Sequence, residues 1–114
     1  MKKLDDLIEK GGKFFEKGAA EPFTGNIRGK AVGFFKKGLP EGNWKEYFDN
    51  GNILSESNYL EGKLNGKFKN YFSNGQLQEQ GTLTDGKLEG KLQEFYNKGQ
   101  LKLIKNYKNN KEEG

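Results

Sequence analysis

From Trp44 onward, apolar and polar residues alternate with a period of two, as in strands whose two faces meet different surroundings. Asn50-Gly51 and Asn74-Gly75 interrupt the alternation, and Lys98-Gly99 fills the same slot. A second set of turns follows at Glu61-Gly62 and Asp85-Gly86. Asn-Gly between apolar runs favours a two-residue type I′ hairpin turn, because both central residues must adopt positive φ. The pattern predicts an antiparallel meander with two strands per unit.

The unit repeats. Gly42, Gly66, Gly90 and Gly114 stand 24 residues apart, and similar residues follow each of the first three: Gly-Asn-Trp-Lys-Glu-Tyr-Phe, Gly-Lys-Phe-Lys-Asn-Tyr-Phe and Gly-Lys-Leu-Gln-Glu-Phe-Tyr. The register continues through Ile53/Leu77/Leu101, Tyr59/Leu83/Tyr107 and Lys63/Lys87/Lys111. A fixed short period marks a stack of small units, each burying its apolar face against its neighbours, and such arrays usually bind rather than catalyse.

With the turn at Asn50-Gly51, Phe48 is expected opposite Ile53, Tyr47 opposite Leu54, Lys45 opposite Glu56, Trp44 opposite Ser57 and Gly42 opposite Tyr59. An aromatic ring over a paired glycine protects a weak strand position. Alternation puts Trp44, Phe48, Tyr59, Phe68, Phe72, Leu92 and Tyr96 on one apolar face. The other face is polar except for a stripe of Tyr47, Tyr71 and Phe95. No separate layer covers the apolar face, so the sheet must curl, pair with another copy or take the N-terminal segment as a lid.

Three segments are expected within one domain: a lead-in at 1–11, degenerate units at 12–41 and three full 24-residue units at 42–114. In the lead-in, residues 4–10 place Leu4, Leu7 and Ile8 on one face of a short helix, marginal in isolation. Strands are expected near Phe14-Phe15, from Pro22 to Ile27 and from Ala31 to Lys36.

Composition modifies this picture in two ways. Only 32% of residues are hydrophobic, which leans toward disorder, but 13% are aromatic and regularly spaced, so the core should be thin and built from large rings. The net charge of +4 comes almost wholly from lysine dispersed among glutamates, and Arg28 is the single arginine. That argues against a nucleic-acid binder, which would show arginine and a clustered basic face.

The pattern Gly-x-aromatic-x-x-Tyr-Phe-x-Asn-Gly-x-Leu, followed by Tyr-x-x-Gly-Lys-Leu-x-Gly, resembles the bacterial MORN-repeat-variant proteins. The lead-in Lys-Phe-Phe-Glu-Lys-Gly and Glu-Pro-Phe-Thr-Gly also looks like the segment that opens their arrays. The resemblance covers residues 12–114. It implies an all-β fold: a curled, single-layer antiparallel meander of stacked hairpins. It also implies a non-enzymatic protein, since many members are labelled antitoxins of the YwqK type that neutralise a partner protein. The more distant eukaryotic repeats imply attachment to membranes or phosphoinositides. The chain departs from the pattern at Lys98, where Asn is expected, at Leu92, which replaces an aromatic residue, and between Gly25 and Gly38, where a unit is shortened.

Histidine and cysteine are absent, which removes Ser-His-Asp triads, thiol nucleophiles and His/Cys zinc sites. The acids do not hold position through the repeats, since Glu46 becomes Asn70 and then Glu94. No phosphate loop or complete calcium loop is present. No catalytic residue, metal or cofactor is therefore expected. Three features point to binding. The stripe of Tyr47, Tyr71 and Phe95, with Lys45 and Lys69 beside it, suits a protein partner, a toxin among them. The row Lys63, Lys87 and Lys111 suits anionic lipid, the alternative reading. The last strand, with Leu101 and Tyr107 at its ends, offers an edge to a partner strand, and it or the apolar face could join a second copy. The N-terminus has no apolar signal segment, so the expected location is the cytoplasm, or the periplasm or cell surface if a leader was removed.

Overall fold

The computed structural model describes residues 2–113, so the fourth anchor, Gly114, lies outside the described residues. Strands β1 (Leu7–Lys10) and β2 (Lys13–Glu16) form a separate hairpin. All other strands join one eleven-stranded antiparallel sheet: β3 (Gly25–Ile27), β4 (Ala31–Lys36), β5 (Leu39–Tyr47), β6 (Ile53–Leu60), β7 (Lys63–Leu64), β8 (Gly66–Tyr71), β9 (Leu77–Thr84), β10 (Lys87–Leu88), β11 (Gly90–Phe95), β12 (Leu101–Lys108) and β13 (Lys111–Glu113). Strands close in sequence pair in space, which gives an open meander of hairpins 48 × 34 × 17 Å in extent. This is the all-β hairpin array that the alternation predicts.

The lead-in departs from the helical expectation. Leu4–Asp6 makes a single 3-10 turn, closed by the Lys3 N–H donating to Asp6 Oδ2 at 2.9 Å, and the chain then runs directly into β1. Seven residues are too few for a helix to hold itself, and pairing with β2 satisfies the backbone instead.

Of the two turns in each unit, the second is a two-residue turn and the first is a longer loop. Glu61-Gly62 and Asp85-Gly86 are the two-residue turns with positive φ at both positions (52° and 85°; 52° and 82°), and Lys37-Gly38 and Asn109-Asn110 repeat this geometry. Asn50-Gly51 is not a type I′ turn, because only Gly51 has positive φ. Asp49, Asn50 and Gly51 instead form a three-residue loop. The Phe48 N–H donates to Asn52 O at 2.8 Å and the Gly51 N–H to Phe48 O at 3.0 Å. This is a type I turn followed by a glycine in the left-handed region. The same bonds recur at Phe72/Gln76 and Tyr96/Gln100.

The longer loop moves the register by one residue, and a bulge moves it back. Next to the loop Tyr47 pairs with Ile53, not Leu54, and Phe95 with Leu101 in place of Tyr96. Glu46 already pairs with Ser55, which leaves Leu54 without a partner. Gln78 and Lys102 are left over in the same way. Beyond the bulge the expected register holds, with Lys45 opposite Glu56, Trp44 opposite Ser57 and Gly42 opposite Tyr59.

The anchor glycines serve a different purpose from the one expected. A Cβ on Gly42 or Gly90 would meet nothing, so no ring lies over them; their φ values of +77° and +78° are what glycine permits. Rings do press on three other glycines, Trp44 on Gly33, Phe23 on Gly25 and Phe68 on Gly81.

The core is concentrated at the N-terminal end. Leu7, Ile27, Ala31, Phe35 and Trp44 form its buried cluster, with Phe14, Phe23 and Tyr59 packed against it. Phe35 stacks edge-on to Trp44 at 5.0 Å and lies 4.9 Å from Phe14. The N-terminal hairpin is thus the lid over the first unit. The segment just before β3 supplies contacts that a preceding unit would make. The Lys37 N–H donates to Thr24 Oγ1 at 2.8 Å, as the Glu61 N–H does to Glu41 Oε1 (2.9 Å) and the Asp85 N–H to Asn65 Oδ1 (3.0 Å). In the later units only Leu92 is as deeply buried.

Candidate functional site

The bulges border an open groove of about 770 Å³ across three successive units. A bulge re-aims the side chains around it. As a result Tyr71 and Phe95, expected on the polar face, line the same groove as Phe48, Phe72 and Tyr96, expected on the apolar one. The bulged residues Leu54, Gln78 and Lys102 line it as well, so three equivalent positions contribute leucine, amide and ammonium in turn. Most of these rings are half-buried, and Tyr96 is 53% exposed.

One cross-strand row supplies the groove's carboxylates. Asn70 on β8, Glu79 on β9 and Glu94 on β11 stand in register, flanked by Ser55 and Leu103. The Asn70 amide donates to Glu79 Oε1 at 3.0 Å. Lys102 holds its ammonium 5.9 Å from the centre of the Tyr96 ring, within cation–π range.

The expected stripe is therefore divided. Tyr71 and Phe95 are brought together, whereas Tyr47 lies in a separate hollow beside Lys3, Leu4, Asp5, Arg28 and Lys30. Lys45 and Lys69 belong to the reverse face, where a row runs from Val32 through Lys45, Glu56, Lys69, Gln80 and Gln93 to Ile104. Glu56 stands between the two lysines and accepts from the Asn43 amide at 3.2 Å, and the Gln80 amide donates to Gln93 Oε1 at 2.8 Å, so the middle of this face is polar. Alternation places Phe48, Phe72 and Tyr96 on the apolar face and marks neither them nor Glu79 and Glu94 as site residues. The available signal was Gly51 at the fourth position of Phe48-Asp49-Asn50-Gly51, where a type I turn favours it.

Lys63, Lys87 and Lys111 lie exposed just after the two-residue turns. Acids share those turns: Lys63 Nζ is 3.4 Å from Asp85 Oδ1, and Glu61 and Glu112 are close in sequence. The edge expected along β12 is half closed, since Asn106, Tyr107 and Lys108 pair with β13. Leu103 and Ile104 occupy the positions where Ser55 and Glu56, or Glu79 and Gln80, pair with the next unit. No helix among the described residues is long and apolar enough to cross a membrane.

The groove is built from equivalent positions, and a family profile recognises the same period. The MORN repeat variant profile matches residues 40–61, 64–85 and 88–109, more than half of the chain. The chain belongs to the MORN repeat variant family. Repeats of this family serve as protein- or lipid-binding modules and are not typically enzymatic. Each matched MORN stretch ends at or beside a two-residue turn, at Glu61, Asp85 and Asn109. No curated protein and no solved structure matches the chain.

Proposed function

We propose that this protein is a non-enzymatic protein-binding module that takes a partner protein in the groove of Tyr71 and Phe95, in the manner of an antitoxin or immunity protein. The observation that carries this reading is the gathering of five aromatic side chains from three units into one open concavity. Aromatic rings present large contact area with few rotatable bonds, and they dominate the energetics of protein interfaces. The groove's mixture of rings, amides and carboxylates is closer to such an interface than to a lipid surface.

The membrane reading rests on Lys63, Lys87 and Lys111. The acids at the same turns offset the field that an anionic bilayer would need, so the protein partner is preferred.

The test is co-purification of the tagged full chain from its native extract at moderate and high salt, beside the Tyr71→Ser/Phe95→Ser variant. A stoichiometric protein retained by the parent at high salt and lost by the folded variant supports the reading. Recovery of lipid alone, lost at high salt, overturns it in favour of the lysine row. A partner retained equally by both moves the interface off the groove.

A further inference from the structure

The groove carries a charge that the rest of the molecule does not. Glu79 and Glu94 are direct cross-strand partners, half-buried, with Cβ atoms about 5 Å apart by sheet geometry. Like charges placed directly opposite each other destabilise a sheet, and partial burial strengthens the repulsion. The equivalent pair one unit earlier is Ser55 and Asn70, which carries no charge, so the repeat does not demand acids here. Among the ion pairs of the described residues, none involves Glu79 or Glu94. Lys102 is the single basic residue lining the groove, and it sits over Tyr96. Two carboxylates against one ammonium leave the groove net negative in a chain of net charge +4.

Resting on the protein-binding reading above, we propose that Glu79 and Glu94, framed by the rings of Tyr71 and Phe95, receive an arginine side chain from a basic segment of the partner. Carboxylates on directly paired positions suit the forked N–H donors of a guanidinium, which can also stack flat on a ring, whereas an ammonium acts as a point charge. The position of Lys102 over Tyr96 demonstrates, within this groove, that its rings accept a cation. Arrival of the arginine removes the Glu79–Glu94 repulsion, so the pair destabilises the free protein and stabilises the complex.

The test is NMR titration of the full chain with a tetra-arginine peptide at physiological ionic strength. A tetra-glutamate peptide and phosphocholine serve as comparison probes. Shifts are expected at Asn70, Tyr71, Glu79, Glu94 and Phe95 with tetra-arginine and not with tetra-glutamate. The Glu79→Gln/Glu94→Gln variant should bind tetra-arginine about tenfold more weakly and melt no lower than the parent. Shifts scattered over the acids of the turns, an unchanged affinity in that variant, or equal shifts with phosphocholine would each overturn the proposal. The two readings fail separately. If Tyr71→Ser/Phe95→Ser keeps the native partner, the interface reading fails. If the partner is lost but the glutamine variant binds tetra-arginine as the parent does, only the arginine assignment fails.

Discussion

Gly33 lies directly beneath the indole of Trp44, and a Cβ placed on Gly33 would overlap the ring. The contact joins β4 to β5 at the centre of the buried cluster. Gly33 has no positive φ, so its backbone would tolerate alanine and only the ring obstructs it. Gly33→Ala should therefore cost about 1–3 kcal/mol through overpacking. Urea unfolding measures the loss. A Gly33→Ala/Trp44→Leu double variant should lose clearly less than the sum of the two single variants. Additive losses would show that the ring is not the obstacle.

Gly42 is the contrasting case. Nothing surrounds its missing Cβ, yet its φ is +77°. Gly42→Ala should cost about 1–2 kcal/mol through backbone strain alone, and no compensating change at a neighbouring side chain should restore it in the same unfolding experiment.

The three-residue loops form a ladder. The Asn50 amide donates to Ser73 O at 2.9 Å and the Asn74 amide to Asn97 O at 3.0 Å, while each Oδ1 accepts from the N–H two residues on. Asn74→Ala removes both bonds and should lower stability by about 1 kcal/mol. Lys98→Asn can restore only the local bond, because no following loop is present among the described residues. Its effect should stay within about 0.5 kcal/mol. A gain as large as the Asn74→Ala loss would overturn this account of the ladder.

The pH dependence has a definite sign at each end. Hydrogen bonding and then the charge of Lys30 hold the exposed Asp49 carboxyl below its ordinary value of 3.8. Its contribution is therefore present above about pH 4 and is lost as pH falls through the lowered pKa. Hydrogen bonding to Asp49 raises Lys30 above 10.5, so that contribution is present below about pH 10.5 and is lost as pH rises through the raised value. Burial, and secondarily the charge of Glu46, raises the Tyr59 phenol above 10.0, which adds to the alkaline loss. Melting temperature against pH should be flat between these limits as far as these groups are concerned. Asp49→Asn should soften the acid limb slightly at low salt and not at high salt, since an exposed pair is screened.

The strand pattern, the repeat and the pairing of Gly42 with Tyr59 were legible because alternation and period are written in residue type. The bulge at Leu54, Gln78 and Lys102 was not. A three-residue loop and a bulge shift the register in opposite directions, so the distant pairing looks undisturbed while the side chains between them change face. That local change moved Tyr71 and Phe95 into the groove, whereas Tyr47, beside the same bulge in the first unit, lines the hollow against the lead-in. The role of Gly33 was hidden because its contact is made by a ring eleven residues away in sequence. The lead-in was misjudged because its short apolar spacing fits a helix and a strand equally, and only its pairing partner decides.

The buried cluster holds one end of the sheet, and the groove crosses the other. Units of such an array depend on their neighbours for stability, so the C-terminal units lean on a foundation they do not themselves possess. A partner seated in the groove would act as their missing second layer. Binding there would stabilise the folded form of the units that the buried cluster does not reach.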